Sequence, residues 1–373
     1  MTEVARLEAP LAAPAGSFLG EIWPRLARGS EYVAITALAL LASAALFTVF
    51  LLALGKSPLQ FYGLIWTGAF GTAFSWQNTL LRASPLVLTA LCVALPARIG
   101  LIIIGGEGAL VLGGFVAGAV SLPLAGHVPW LLLMAVMSLA AVAVGASWIG
   151  LVGFLKFRRG VNETIASLLM TYIAIAIMNF FVEGALRDPG SANKPSTRPI
   201  GADQMIGTIP GLNVHWGLAA GLILSIVLWV LISRTTFGFA ARMTGGNPRA
   251  ARAQGLPIGK LMVSLCAIAG ACAGLAGFFE VAAVQGSANG SLAAGYGFTG
   301  ILVAFLARHN PLAIVPVAVL FGGFAAAGGL IQRRMGLPDA TVLVMQGLIF
   351  VVLLTSETLY GRLRIFRPEG GAR

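Results

Sequence analysis

Few side chains in this sequence could do chemistry, and they fall into four groups. Glu107 stands inside RIGLIIIGGEGALVLGG (98–114), with Gly105, Gly106 and Gly108 beside it. Asn162 and Glu163 open the stretch VNETIASLLMTYIA (161–174). Glu280, Gln285, Ser287 and Asn289 run through EVAAVQGSANGSLAAGYGF (280–298), where Gly286, Gly290, Gly295 and Gly297 permit a broken helix. The fourth group, Asn247 to Gly255, lies in RTTFGFAARMTGGNPRAARAQGLPIGK (234–260). Carboxylates and amides among glycines can accept backbone N–H groups or hydrogen-bond a neutral, hydroxylated solute. They do not assemble a nucleophile with a base, so no catalytic residue is assigned. His127, His215 and His309 lack the spacing of metal ligands, so no metal site is assigned. Gly55-Lys56-Ser57 imitates the end of a phosphate loop, but Phe50 occupies the position that requires glycine.

The elements that must hold these groups are membrane helices. Of 373 residues, 58% are hydrophobic and 10% charged, more apolar surface than one soluble core can bury. Stretches such as WLLLMAVMSLAAVAVGASWIGLVGFL (130–155) do not alternate, which excludes a transmembrane barrel. The expected fold is an all-α, polytopic helical bundle of about ten spans. They are placed near 32–54, 79–97, 106–123, 130–154, 163–186, 217–233, 261–283, 296–307, 311–330 and 340–356. Run 296–307 is too short to cross alone and is expected as a half helix. The first run, about 22 residues, exceeds the core of a signal peptide and is expected to remain as a span.

The net charge of +11 is spread in short runs between apolar segments, which argues against a nucleic-acid-binding face. With the N-terminus inside, 17 of the 24 basic residues fall on the cytoplasmic side, supporting N-in and C-in topology. Arg333 and Arg334 fall on the outer side, so either the pair breaks the rule locally or the spans after residue 296 are misdrawn. Cys92, Cys266 and Cys272 sit in apolar segments and read as core residues. The segment RDPGSANKPSTRPIGADQMIGTIPGLNVH (187–215) reads as an irregular outer loop. In 234–260, Asn247 can cap a helix, Pro248 suits its first turn and Gly255 can end it. The short helix offers Ala250 and Ala251 as a low-profile face and Arg249 and Arg252 as charge. That fits a groove on a partner protein or, equally, an ordinary basic loop at the membrane surface.

The segment GGNPRAARAQGL resembles the coupling-helix motif of ATP-binding-cassette (ABC) importer permeases of the ribose and branched-chain amino-acid type. Together with VNETIASLLMTYIA, LRDPG (186–190) and GYGFTGILVAFLARHNP (295–311), it is similar to permeases of nucleoside and simple-sugar importers, over about residues 57 to 356. Ile103 and Ala109 depart from that pattern, standing where relatives commonly carry Asn and Gln. The resemblance implies a cytoplasmic segment 1–31, a permease domain 32–356 with its cytoplasmic coupling loop 234–260, and a cytoplasmic tail 357–373. It implies a bacterial inner-membrane, multi-pass protein that binds no nucleic acid and no cofactor. The implied partners are a separate ABC ATPase subunit, a second and shorter permease subunit, a substrate-binding lipoprotein outside, membrane lipid, and a small polar solute. A nucleoside is the first expectation and a simple sugar the alternative; a stand-alone secondary transporter would require inverted repeats and an ion site, neither of which is detected.

The candidate pathway residues are Glu107, Asn162, Glu163, Glu280, Gln285, Asn289 and Phe298. Glu107 reads either as an acceptor for backbone groups at a helix break or as a lining group; its glycine neighbours favour the first. Asn162 and Glu163 read as a helix cap and first-turn anion, or as an inner gate. The 280–289 group reads as a substrate-contact region or as turn residues of an outer loop. Phe278, Phe279, Tyr296 and Phe298 could stack on a nucleobase or simply pack.

Overall fold

The computed structural model describes residues 18–191 and 193–356, with side chains from Ala34 onward. The expectations for residues 1–17 and for the tail 357–373 lie outside the described residues.

Among the described residues the regular elements are all helices, apart from two isolated β-bridges. In order the helices are α1 (Phe18–Ala53), α2 (Pro58–Phe70), α3 (Ala73–Ala97), α4 (Gly106–Leu124), α5 (Trp130–Arg159) and α6 (Glu163–Glu183). Then follow α7 (Gly217–Arg234), α8 (Thr236–Gly246), α9 (Pro248–Ala253), α10 (Ile258–Phe279), α11 (Tyr296–Leu306), α12 (Pro311–Met335) and α13 (Ala340–Ser356). A π-helical turn, Glu280–Gln285, continues α10. All ten expected spans fall on helices, and eight helices are long and apolar enough to cross a membrane; α11 and α13 are shorter.

The chain divides into two compact units. One comprises residues up to 50 and from 347 onward, holding most of α1 and α13. Among its described side chains, Ser43 Oγ donates to Leu40 O at 2.8 Å and Ser356 Oγ to Leu353 O at 2.7 Å, each within its own helix.

The other unit, residues 51–346, holds the remaining helices around a centre made by α3 and α4. Their spans are 78% and 67% buried, against 33% for each of α5, α6 and α7, which therefore face lipid over most of their surface. Association in lipid rests on close packing rather than on the hydrophobic effect, and small residues permit it. A Cβ on Gly270 of α10 would strike the Gly145 carbonyl of α5, and one on Gly277 would strike the Leu110 carbonyl of α4. The three backbones are thus in direct contact.

Two features differ from the sequence reading. The third helix begins at Ala73 rather than 79, and α2 precedes it. Ser57 caps α2, and Thr72 Oγ1 caps α3 by accepting from Ser75 N at 3.0 Å. At 13 residues α2 reaches about 20 Å, too short to cross, and it packs on α12 where Gly68 meets Ala327. Its shortness hid it, since hydropathy recognises only runs long enough to span. The second difference is that α12 runs to Met335, so Arg333 and Arg334 occupy its last turn before left-handed Gly336. Basic side chains there complement the helix dipole, which is a local reason for the pair that the inside-positive rule does not supply.

The glycine contacts make a test. Gly270→Ala is expected to cost about 1–3 kcal/mol through overpacking against α5, lowering the unfolding temperature of the detergent-solubilised protein by several degrees. Gly63→Ala on α2, where a Cβ meets open space, serves as the control and should be neutral or slightly stabilising.

Candidate functional site

The site is organised by the head of α11, a helix of 11 residues that starts within the bundle. Its first N–H groups have no partner in their own helix. Glu107, the second residue of α4 and only 1% exposed, supplies one: Oε1 accepts from Gly295 N at 2.6 Å and Oε2 from Gly297 N at 2.5 Å. The carboxylate lies at the N-terminal ends of both α4 and α11, where the two helix dipoles favour negative charge. Gly295 takes the left-handed conformation (φ +83°), and a Cβ on Gly297 would enter the backbone of Glu107. Neither position tolerates a side chain without rearrangement. Thr89 of α3 completes the support, its hydroxyl 3.1 Å from Tyr296 O.

Beside this junction lies a cavity of about 220 Å³ lined by Arg82 and Leu86 of α3, Tyr296 and Thr299 of α11, and Asp339, Val342 and Gln346 at the start of α13, among others. Arg82 is nine residues into α3, about 14 Å along its axis. Asp339 packs against α12 at Gly328, where any Cβ would occupy the carboxylate's place. A cation, an anion, an amide, a hydroxyl and a phenol thus converge on one small space, suited to hydrogen-bonding a polar solute on several edges.

Behind it, Glu280 is 5% exposed at the start of the π-helical turn. Gln285, at the end of that turn, keeps its Oε1 buried without a hydrogen-bond partner among the described residues. Asn289 Oδ1 accepts from Ser291 N at 2.9 Å. The segment 187–215 closes over this stretch: Thr197 N donates to Ala288 O at 2.9 Å, Ile200 N to Gly286 O at 2.8 Å and Ile206 N to Ala282 O at 2.8 Å. The segment expected as an irregular outer loop is irregular and is pinned onto the broken helix. Within it, His215 stacks on Phe279 with ring centroids 6.1 Å apart, and burial pushes its imidazole down to about 4, so the ring is neutral near pH 7.

The remaining candidates fall elsewhere. Asn162 Oδ1 caps α6 by accepting from Thr164 N at 3.0 Å and Ile165 N at 3.2 Å, and Glu163 pairs with Lys156 of α5 at 2.7 Å. Thr164 Oγ1 donates to Ile102 O, so this helix start braces the segment before α4 rather than joining the 280–289 group. Phe298 is 40% exposed and does not line the cavity, which takes Tyr296 and Thr299 from the other face of α11; Phe278 and Phe279 are buried in packing. Of the four aromatic residues, Tyr296 alone lines that cavity. Arg82, Asp339 and Gln346 went unremarked as site residues in the sequence reading. The available signal was a charged residue inside an apolar run, which membranes rarely admit without a function.

The polar stretch 234–260 forms α8 and α9. Asn247 Oδ1 accepts from Arg249 N and Ala250 N, both at 3.1 Å, and Gly255 ends the turn at φ +78°. Pro248, Arg249, Ala250 and Arg252 are exposed, whereas Ala251 is fully buried in the chain itself. Ala251 therefore does not belong to the outward face on which the sequence reading placed it. A Cβ on Gly245 of α8 would strike the Arg98 carbonyl, and Arg98 Nη2 in turn donates to His309 O at 2.6 Å, just beyond α11.

Residues 75–354 match the family described as branched-chain amino acid transport system / permease component. Among curated proteins, the chain is 32% identical over 335 residues to the glucose ABC transporter permease protein TsgB13 of Haloferax volcanii, covering 86% of each. It is 29% identical over 343 residues to the guanosine ABC transporter permease protein NupP of Bacillus subtilis, covering 88% of this chain and 95% of that one. With the nucleoside ABC transporter permease protein NupB of Lactococcus lactis it shares 26% over 313 residues, covering 81% and 85%.

Replacing Glu107 by Gln leaves one of the two N–H donors facing an NH2 group. The expected cost is about 1–3 kcal/mol, read as a lowered unfolding temperature, while Glu163→Gln, which breaks a partly exposed ion pair, should change it far less.

Proposed function

The chain belongs to the branched-chain amino acid transport system / permease component family, and we propose that it is the membrane-spanning permease subunit of an ABC importer that carries a nucleoside across a bacterial inner membrane. The observation that carries the reading is the match over residues 75–354, joined to an exposed, capped helix α9 presenting Arg249 and Arg252 between two spans. In this reading the N-terminus and residues 234–260 are cytoplasmic, and α9 inserts into a cleft of an ABC ATPase subunit. A second permease subunit, a shorter paralogue, completes the membrane part. A substrate-binding lipoprotein delivers the solute from outside.

The chain performs no covalent chemistry. Closure of the ATPase subunits around ATP favours one conformation of the permease and so shifts its population, since a ligand moves an equilibrium only by binding one state better. Contacts run without interruption from α9 through α8 to Arg98, and from Arg98 to the end of α11, whose head borders the cavity. Displacing α9 would therefore bear on both ends of the half helix.

The nucleoside reading draws on the printed substrates of NupP and NupB and on Tyr296 in the cavity, since an aromatic face can stack on a base at about 1–3 kcal/mol. The 32% identity to TsgB13 favours a second reading, a simple sugar, for which Arg82 and Asp339 would serve as hydroxyl partners.

Co-expression of the chain with its ATPase, second permease and binding protein, followed by uptake of labelled guanosine with and without excess glucose, decides between the two. Guanosine uptake that glucose does not compete away supports the first; the reverse supports the second, and ion-driven uptake without the ATPase removes both. Arg249→Glu with Arg252→Glu should abolish co-purification of the ATPase. Tyr296→Ala should raise the KM for a nucleoside by roughly 5- to 150-fold, from the same stacking range.

A further inference from the structure

A second cavity, of about 690 Å³, opens where α5, α9 and α10 meet, and its lining is unlike that of the first. Phe154, Phe157 and Val263 give it apolar walls, and Gly259 lets α10 pack directly on the Phe157 ring, which a Cβ there would enter. Arg158, Arg252 and Lys260 also line it, and no acidic residue does. Arg158 lies over the Phe154 ring at 5.9 Å. Among the described residues the nearby carboxylate, Glu163, is committed to Lys156, and none of the three lining cations has an ion-pair partner.

The depth of this cavity decides what can fill it. The spans α5 and α10 both terminate here, α5 at Arg159 and α10 from Ile258, so the cavity sits where hydrocarbon gives way to headgroups. An occupant must be apolar on one side and anionic on the other. We propose that the cavity is a specific site for an anionic phospholipid, its phosphate held by Arg158 and Lys260 and its acyl chains lying along Phe154, Phe157 and Val263. A free phosphate would satisfy the cations and leave the apolar walls exposed; a zwitterionic lipid would bring its own cation against three others. The proposal does not depend on which solute is carried.

Native mass spectrometry of the full-length protein in detergent, with phosphatidylglycerol or phosphatidylcholine added at equal concentration, tests it. The wild type should retain phosphatidylglycerol preferentially. Arg158→Gln with Lys260→Gln should weaken that retention about thirtyfold, at roughly 1 kcal/mol for each cation. Arg333→Gln with Arg334→Gln, which removes the same charge from the end of α12, should leave it intact. Equal retention of the two lipids by the wild type, or equal loss in both double variants, overturns the proposal. So does displacement of the lipid by millimolar inorganic phosphate, which would make the site one for a free anion. Loss of the bound lipid when the ATPase subunit is added would assign the surface to that protein instead.

Discussion

Two hydrogen bonds, from Gly295 N and Gly297 N to the carboxylate of Glu107, set the terms for the rest of this structure. A helix that begins inside a membrane protein exposes N–H groups that neither lipid nor its own turns can satisfy, and each costs several kcal/mol if left bare. A neutral acceptor could serve one such group. A carboxylate serves two at once, and the dipoles of α4 and α11 offset part of the cost of keeping it from water. The glycines follow from this. Gly297 must lack a side chain for the α11 backbone to reach the α4 backbone, and Gly295 must turn left-handed to aim its N–H at the acid. With the half helix fixed, Tyr296 and Thr299 face the cavity.

The same constraint explains the π-helical turn and the loop above it. Where α10 widens into Glu280–Gln285 and then breaks, the freed backbone groups need partners, and residues 197–206 provide them through paired strand-like contacts. The loop is therefore part of the membrane domain's hydrogen bonding rather than an appendage. Its own composition conceals this, because Pro, Gly and Ser describe an irregular path equally well whether it floats or is tied down.

What was legible in the sequence was whatever depends on local pattern. Hydropathy placed ten spans on ten helices; Asn247, Pro248 and Gly255 marked the start and end of α9; the glycines around Glu107 pointed to a structural acceptor. What was not legible depends on registry between distant segments. Nothing near Arg82 announces that Asp339, some 250 residues later, lines the same space, or that Phe298 turns away from the space that Tyr296 enters. The Ala250–Ala251 pair failed in the same way, because only the packing of α9 on its neighbours decides which alanine is buried. The helix α2 was lost for a different reason: at 13 residues it falls below the length by which hydropathy recognises a span.

The two cavities also show why the basic residues of this chain divide into kinds. Arg82 sits deep in α3 with an acid across the space, a placement that costs free energy in a membrane and so requires a compensating role inside the bundle. Arg158 and Lys260 sit at helix ends, where a cation complements the C-terminal dipole of α5 but opposes the N-terminal dipole of α10. Lys260, in the first turn of α10, thus stands where an acid would be preferred for helix stability. Its charge is explained by something outside the helix, and an anion held by Arg158 and Lys260 supplies that explanation, balancing the cation and the dipole together.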